Sequence, residues 1–216
     1  MNRSNADALW RVASGLAREA VKVSRARSVA SPDLPPLLFF TDPERTPEPW
    51  RVAEQLPAGA GVVFRHFGAP DARETALRLR EATTKRDGLL LIGRDAELAE
   101  AVGADGVHLP EALIPQAAAL SERHPDWRIT AAFHALTPAP DLIGLDALVI
   151  SPVFPAGGAS GTKPALGVDR LAELARALPC PVYALGGIDA SNAPRLTGSG
   201  AYGIAAVGAI RAAFGC

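Results

Sequence analysis

Eight short apolar runs, separated mostly by stretches with helical spacing, constrain this chain more than any other feature. They are LLFFTD (37–42), GVVFRHFG (61–68), GLLLIGR (88–94), GVHLP (106–110), RITAAFH (128–134), ALVISPV (147–153), PVYALGG (181–187) and YGIAAVG (202–208). Between them, DARETALRLREATTK, DAELAEAVGA and DRLAELARAL carry alanine, leucine, glutamate and arginine in amphipathic order, as surface helices do. Apolar runs that alternate with helices mark parallel strands covered on the outside. Eight such units in 216 residues predict one α/β domain, a closed TIM (β/α)8 barrel, in preference to a doubly wound open sheet. Phe39, Phe40, Val62, Val63, Leu90, Leu91, Val149 and Val182 are expected to fill its core. The connections after the fourth and sixth runs are less regular.

Ahead of the first run, Leu9, Ala13, Leu16, Ala20 and Val23 recur at three- and four-residue intervals, while Arg11, Arg18, Lys22 and Arg25 fall largely elsewhere. This predicts a basic amphipathic helix that packs against the domain, ended by SPDLPP. The expected division is residues 1–30 for helix and linker and 31–216 for the barrel. Lysine and arginine number 22 against 23 acidic residues, so no overall field recruits nucleic acid or an anionic membrane. Trp10, Trp50 and Trp127 are dispersed and form no stacking track. No apolar run reaches about 18 residues, the length of a membrane span, and no secretory leader is evident. With only Cys180 and Cys216 available, the expectation is a soluble protein of a reducing cytoplasm. The oligomeric state is left open.

The strand ends of a parallel barrel and the loops after them form one mouth, the expected site face. That mouth would collect Asp42, Arg65, His66, Arg94, Glu111, His134, Ser151, Lys163, the Gly186-Gly187 pair and Gly208. Paired glycines let backbone amides approach an anionic oxygen, and Gly208, Ala209 and Ile210 would add amides at a short helix start. Phosphate at the last two strand ends is the expected ligand chemistry. Arg65 suits a carboxylate or phosphate through its forked donors, and His66 and Arg94 read as rim. Asp95 reads as a helix cap, and His108 as structural. Three similar phrases, AVGADGVHL, LIGLDALVI and SGAYGIAAV, each lead from a turn into a strand. No phosphate-cradling GxxxxGK loop, clustered cysteine-histidine metal set or GxSxG elbow is present.

The stretches LLFFTDPE, AELAEAVGADGVHLPE, ISPVFP and PVYALGGIDASNAPRLTGSGAYGIAAVGAI together resemble the thiamine phosphate synthase and thiazole tautomerase family over roughly residues 36–210. The resemblance implies a single barrel that binds a thiazole phosphate near Gly186, Gly187, Gly208 and Ala209, with Lys163 on a loop that contacts phosphate. It departs from the synthase pattern in several places. A serine often found in the family is Gly208 here. The glutamine-x-arginine-x-lysine of strand two keeps only Arg65, with Val63 and Phe67 at the other positions. An asparagine-aspartate pair becomes Gly93-Arg94, and no later metal-binding aspartate follows GVHL. The resemblance therefore implies, first, a tautomerase-type isomerase. In this reading His134 moves a proton within a thiazole carboxylate phosphate, Glu111 assists and no cofactor is required; a histidine suits proton exchange near neutral pH. The alternative is a divergent synthase, a transferase that joins an aminopyrimidine pyrophosphate to a thiazole phosphate, with magnesium. A further alternative is non-catalytic, regulatory binding of a phosphate ligand.

Overall fold

A computed structural model describes residues 2–26, 33–134, 141–157 and 164–215. Its centre is a closed barrel of eight parallel strands in chain order: β1 (Leu37–Phe40), β2 (Gly61–Phe64), β3 (Leu89–Gly93), β4 (Gly106–Leu109), β5 (Arg128–Phe133), β6 (Ala147–Ile150), β7 (Val182–Leu185) and β8 (Gly203–Ala206). Leu38 pairs with Ala205, which closes β1 on β8 and leaves no free sheet edge. The strands are buried on both faces. Leu38, Phe40, Val63, Leu91, Val149 and Tyr183 pack into one cluster, while their neighbours Leu37, Phe39, Val62, Leu90 and Leu148 join a second cluster that includes the outer helices. That two-sided burial is why the strands read as continuous apolar runs rather than as alternating ones.

The outer layer holds α2 (Pro49–Ala53), α3 (Ala72–Thr84), α4 (Ala96–Val102), α5 (Ala117–Arg123), α6 (Gly167–Ala177) and α7 (Gly208–Phe214), after an N-terminal α1 (Arg3–Ala26). It is uneven. Between β7 and β8 the connection contains only one short 3-10 turn, Ala193–Leu196, so the strand–helix alternation weakens there. Helix α1 compensates, because it packs against that turn, α7, β8 and β1. Ala6, Leu9, Ala13 and Leu16 are buried, each leucine contributing roughly 1.5–3 kcal/mol of apolar transfer. Ala17, Ala20 and Val21 continue onto the cluster that holds Leu34 and Tyr202, so the amphipathic spacing is used along the helix.

The three similar phrases share a geometry at the strand starts. Asp105, Asp146 and Tyr202 each stand one residue before an even-numbered strand, and their N–H groups donate to the carbonyls of Leu90, Ile129 and Val182 on the preceding odd strand. The two aspartates go further. Asp105 Oδ2 accepts the Leu90 N–H and Asp146 Oδ2 the Ile129 N–H, both at 2.7 Å. Each carboxylate thus satisfies the amide of the second residue of the neighbouring odd strand. Tyr202 sends its hydroxyl instead to the Leu34 carbonyl, 2.7 Å away.

Candidate active site

A cavity of about 940 Å³ opens at the carboxyl ends of the strands, with Arg65, His66, Arg94, His108, His134 and Ser151 among the residues that line it. Arg65 follows the last residue of β2 and is fixed from β1: its N–H donates to Thr41 Oγ1 at 2.9 Å and its Nε–H to the Thr41 carbonyl at 2.8 Å. Asp42 Oδ2 lies 3.8 Å from the guanidinium, while Asp42 Oδ1 accepts the N–H groups of Glu44 and Arg45. A pair that long and partly wetted adds little stability, but it aims the guanidinium. Burial lowers the Arg65 pKa from its ordinary value, Asp42 opposes the shift and Arg45 adds to it. Gly93 makes room, since a Cβ there would stand 3.3 Å from Arg65 Cγ.

Behind Arg65 the cavity has a histidine floor. His108 is buried on β4, its Nδ1 2.9 Å from Thr130 Oγ1 and its ring edge-on to Phe40. Desolvation, with a smaller contribution from the Arg65 charge, pushes its pKa down to about 3, so this imidazole is neutral. His108, structural by its sequence setting, is part of the cavity as well.

His66 is tied to the neighbouring loop. Its Nδ1 accepts the Gly68 N–H at 3.1 Å, so a proton on the neutral ring sits on Nε2, 3.3 Å from Asp95 Oδ2. Asp95 caps α4 as expected, its Oδ1 accepting the Leu98 N–H at 2.8 Å. His134 follows β5. Its Nδ1 lies 3.2 Å from the Ser151 carbonyl, which can only accept, so Nδ1 carries the proton in a neutral ring. The His134 N–H donates to Glu111 Oε1 across 3.4 Å, which brings those two predicted residues together at the ends of β4 and β5. Arg94 is an exposed part of the rim. Lys163 lies outside the described residues.

The glycine pair has a second reason to exist. Gly186 and Gly187 have φ of +97° and +65°. A Cβ on Gly186 would stand 2.8 Å from Pro152 Cα, and one on Gly187 would stand 2.4 Å from the Pro155 carbonyl oxygen. The pair therefore lets the turn after β7 lie directly on the segment after β6, where the Phe154 N–H donates to the Gly186 carbonyl at 3.0 Å. Gly208 differs, since its Cβ would meet nothing within 4 Å. It opens α7, whose first amides lack intrahelical acceptors.

The sequence matches the family described as thiamine monophosphate synthase over residues 37–210. The chain belongs to this family. Among its thiamine monophosphate synthase relatives, the putative thiamine-phosphate synthase 2 of Aquifex aeolicus is 31% identical over 81% of this chain and 97% of its own length. The thiamine-phosphate synthase of Chlorobium luteolum is 35% identical over 83% and 87%. The solved thiamine phosphate pyrophosphorylase of Pyrococcus furiosus superposes with a TM-score of 0.70 at 30% identity, covering 85% of this chain and 93% of that one. Other matches are partial: the match spans 41% of the thiamine-phosphate synthase of Gloeobacter violaceus and 65% of the putative one of Geobacter sulfurreducens. No described helix is long and apolar enough to cross a membrane.

Magnesium, which resemblance to the synthases implies, is not matched by the donors of this mouth. Among the described residues no three histidine, cysteine, aspartate or glutamate side chains are grouped so as to hold a metal. Among the described carboxylates of this mouth, Asp42 is engaged by loop amides and Arg65, Asp95 by the α4 cap and His66, and Glu97 stands in the first turn of α4. At the β3 end the side chains are hydrogen and guanidinium, from Gly93 and Arg94, where a hard cation requires oxygen ligands.

Proposed function

We propose that this protein is a divergent thiamine-phosphate synthase, a transferase that joins an aminopyrimidine pyrophosphate to a thiazole phosphate and releases pyrophosphate. Relatives named as synthases and aligned over nearly their whole length carry this reading in preference to the isomerase that the altered motifs suggest. The Gly186, Gly187, Gly208 and Ala209 amides hold the thiazole phosphate, as the glycine turn and the helix start permit. Arg65 and Arg94 face the pyrophosphate, whose charge grows as it departs. The thiazole nitrogen forms the new bond to the methylene carbon, the carbon–oxygen bond breaks, and its electron pair leaves with pyrophosphate. No step is assigned to magnesium.

Mixing both substrates with the purified protein and following pyrophosphate and product tests the reading. Wild type is expected to form both, and Arg65→Gln to lower kcat/KM roughly 100-fold, the scale for removing one aimed donor from a developing anion. No product from wild type under these conditions overturns it.

One observation favours proton transfer as a second reading: at the mouth the Ser151 carbonyl sets the His134 tautomer and the Glu111 carboxylate accepts the His134 N–H. Under that reading, an NMR time course with the thiazole carboxylate phosphate tautomer shows conversion by wild type that His134→Asn abolishes while ligand binding persists. Conversion at the no-protein rate rejects it.

A further inference from the structure

Phe67 is 72% exposed on the rim of the main cavity; among the described residues it is the most exposed large apolar side chain and the one aromatic ring among the exposed ones. Its backbone has φ of +50°, a conformation that bulky residues seldom adopt. The loop that holds it there is built. The Gly68 N–H donates to His66 Nδ1, the Ala69 N–H donates to the His66 carbonyl at 2.9 Å, and His66 is tied across to Asp95. Arg65 places its guanidinium 5.5 Å from the Phe67 ring centroid and 5.6 Å from that of buried Phe40. A cation thus lies over one face of an exposed aromatic ring at one wall of the same opening, with Arg94, also at positive φ (+70°), on the next loop.

We propose that Phe67 is a substrate-stacking, specificity-determining residue, whose face receives a planar heteroaromatic ring while Arg65 and Arg94 take an anionic group on a short arm from that ring. The inference rests on the synthase reading, in which the ring is that of the aminopyrimidine pyrophosphate. A solvated phenyl ring at a cavity entrance gains by covering its face with another π-system, and such stacking is tolerant of substituents on the ring. The cations alone would bind any polyanion, so the ring is what distinguishes a heteroaromatic pyrophosphate from free pyrophosphate.

Binding, rather than turnover, tests this by calorimetry with aminopyrimidine pyrophosphate and inorganic pyrophosphate as separate probes. Phe67→Ala is expected to weaken the ring-bearing probe roughly ten-fold or more, with inorganic pyrophosphate unchanged, and Phe67→Trp to keep or tighten the first. An equal loss for both probes overturns the proposal, because the ring would then serve only to position Arg65. Unchanged affinities in Phe67→Ala overturn it too, as does wild type that fails to bind the ring-bearing probe or binds it no tighter than inorganic pyrophosphate. Ring-selective binding without product formation overturns the synthase reading and leaves the stacking assignment standing.

Discussion

Gly187→Ala is expected to destabilise the protein by at least about 3 kcal/mol, the combined scale of a strained left-handed residue and an overpacked contact. The added methyl would lie 2.4 Å from the Pro155 carbonyl oxygen and 2.7 Å from that of Phe154, both main-chain atoms that no rotamer change can move aside. Its φ of +65° adds strain independently of the space. For a chain of this size the shift corresponds to a fall in Tm of roughly 6–12 °C. Gly208→Ser supplies the control. That glycine has open space at its Cβ, so the variant should melt within roughly 2 °C of wild type, as surface substitutions do. Thermal and urea unfolding of the two variants separate the roles of glycines that sequence alone assigns to one phosphate site. A Gly187→Ala protein as stable as wild type would show that the segment after β6 yields, and would return the pair to a purely ligand-binding explanation.

Those two positions also show where a sequence is legible. The barrel itself could be read because burial on both strand faces leaves continuous apolar runs, and helix α1 because Leu9, Ala13 and Leu16 keep one buried stripe. The Asp95 cap was readable because its donor, Leu98, is only three residues away. Contacts made across the barrel were not. Asp105 and Asp146 stand in phrases whose similarity is visible, but the amides they satisfy belong to strands 15 and 17 residues earlier. The missing helix between β7 and β8 is replaced by one from the far end of the chain, a substitution that only packing reveals. Phe67 looked like the loss of a lysine, because neither its exposure nor its positive φ is written in residue type. Family membership was legible over almost the same span as the match at residues 37–210, while the altered motifs point to an isomerase and the names of the relatives to a synthase.

His108 gives the largest expected dependence of stability on pH. In the unfolded chain its imidazole titrates near the usual histidine value of about 6.5. In the barrel, burial first and the Arg65 charge second push it down to about 3. Between those values the unfolded chain holds a proton that the folded one refuses, so ΔG of unfolding rises with pH there. The contribution is therefore fully present above about pH 6.5 and is lost as pH falls toward 3, at about 1.4 kcal/mol per unit and about 4–5 kcal/mol in all. His108→Gln removes the titration and leaves a side chain able to face Thr130. Urea unfolding at pH 7 and pH 4.5 should show wild type losing about 3 kcal/mol more than the variant over that interval. Equal losses in the two proteins would mean that His108 accepts its proton in the folded state, through solvent entry or movement of Arg65. The neutral ring also matters to the mouth. It places a polar group at the cavity floor without adding a second cation beneath Arg65. An anion bound against Arg65 would offset the repulsion that helps keep His108 neutral. Pyrophosphate is thus expected to raise the His108 pKa, visible by NMR as ring titration that begins at higher pH when the ligand is present.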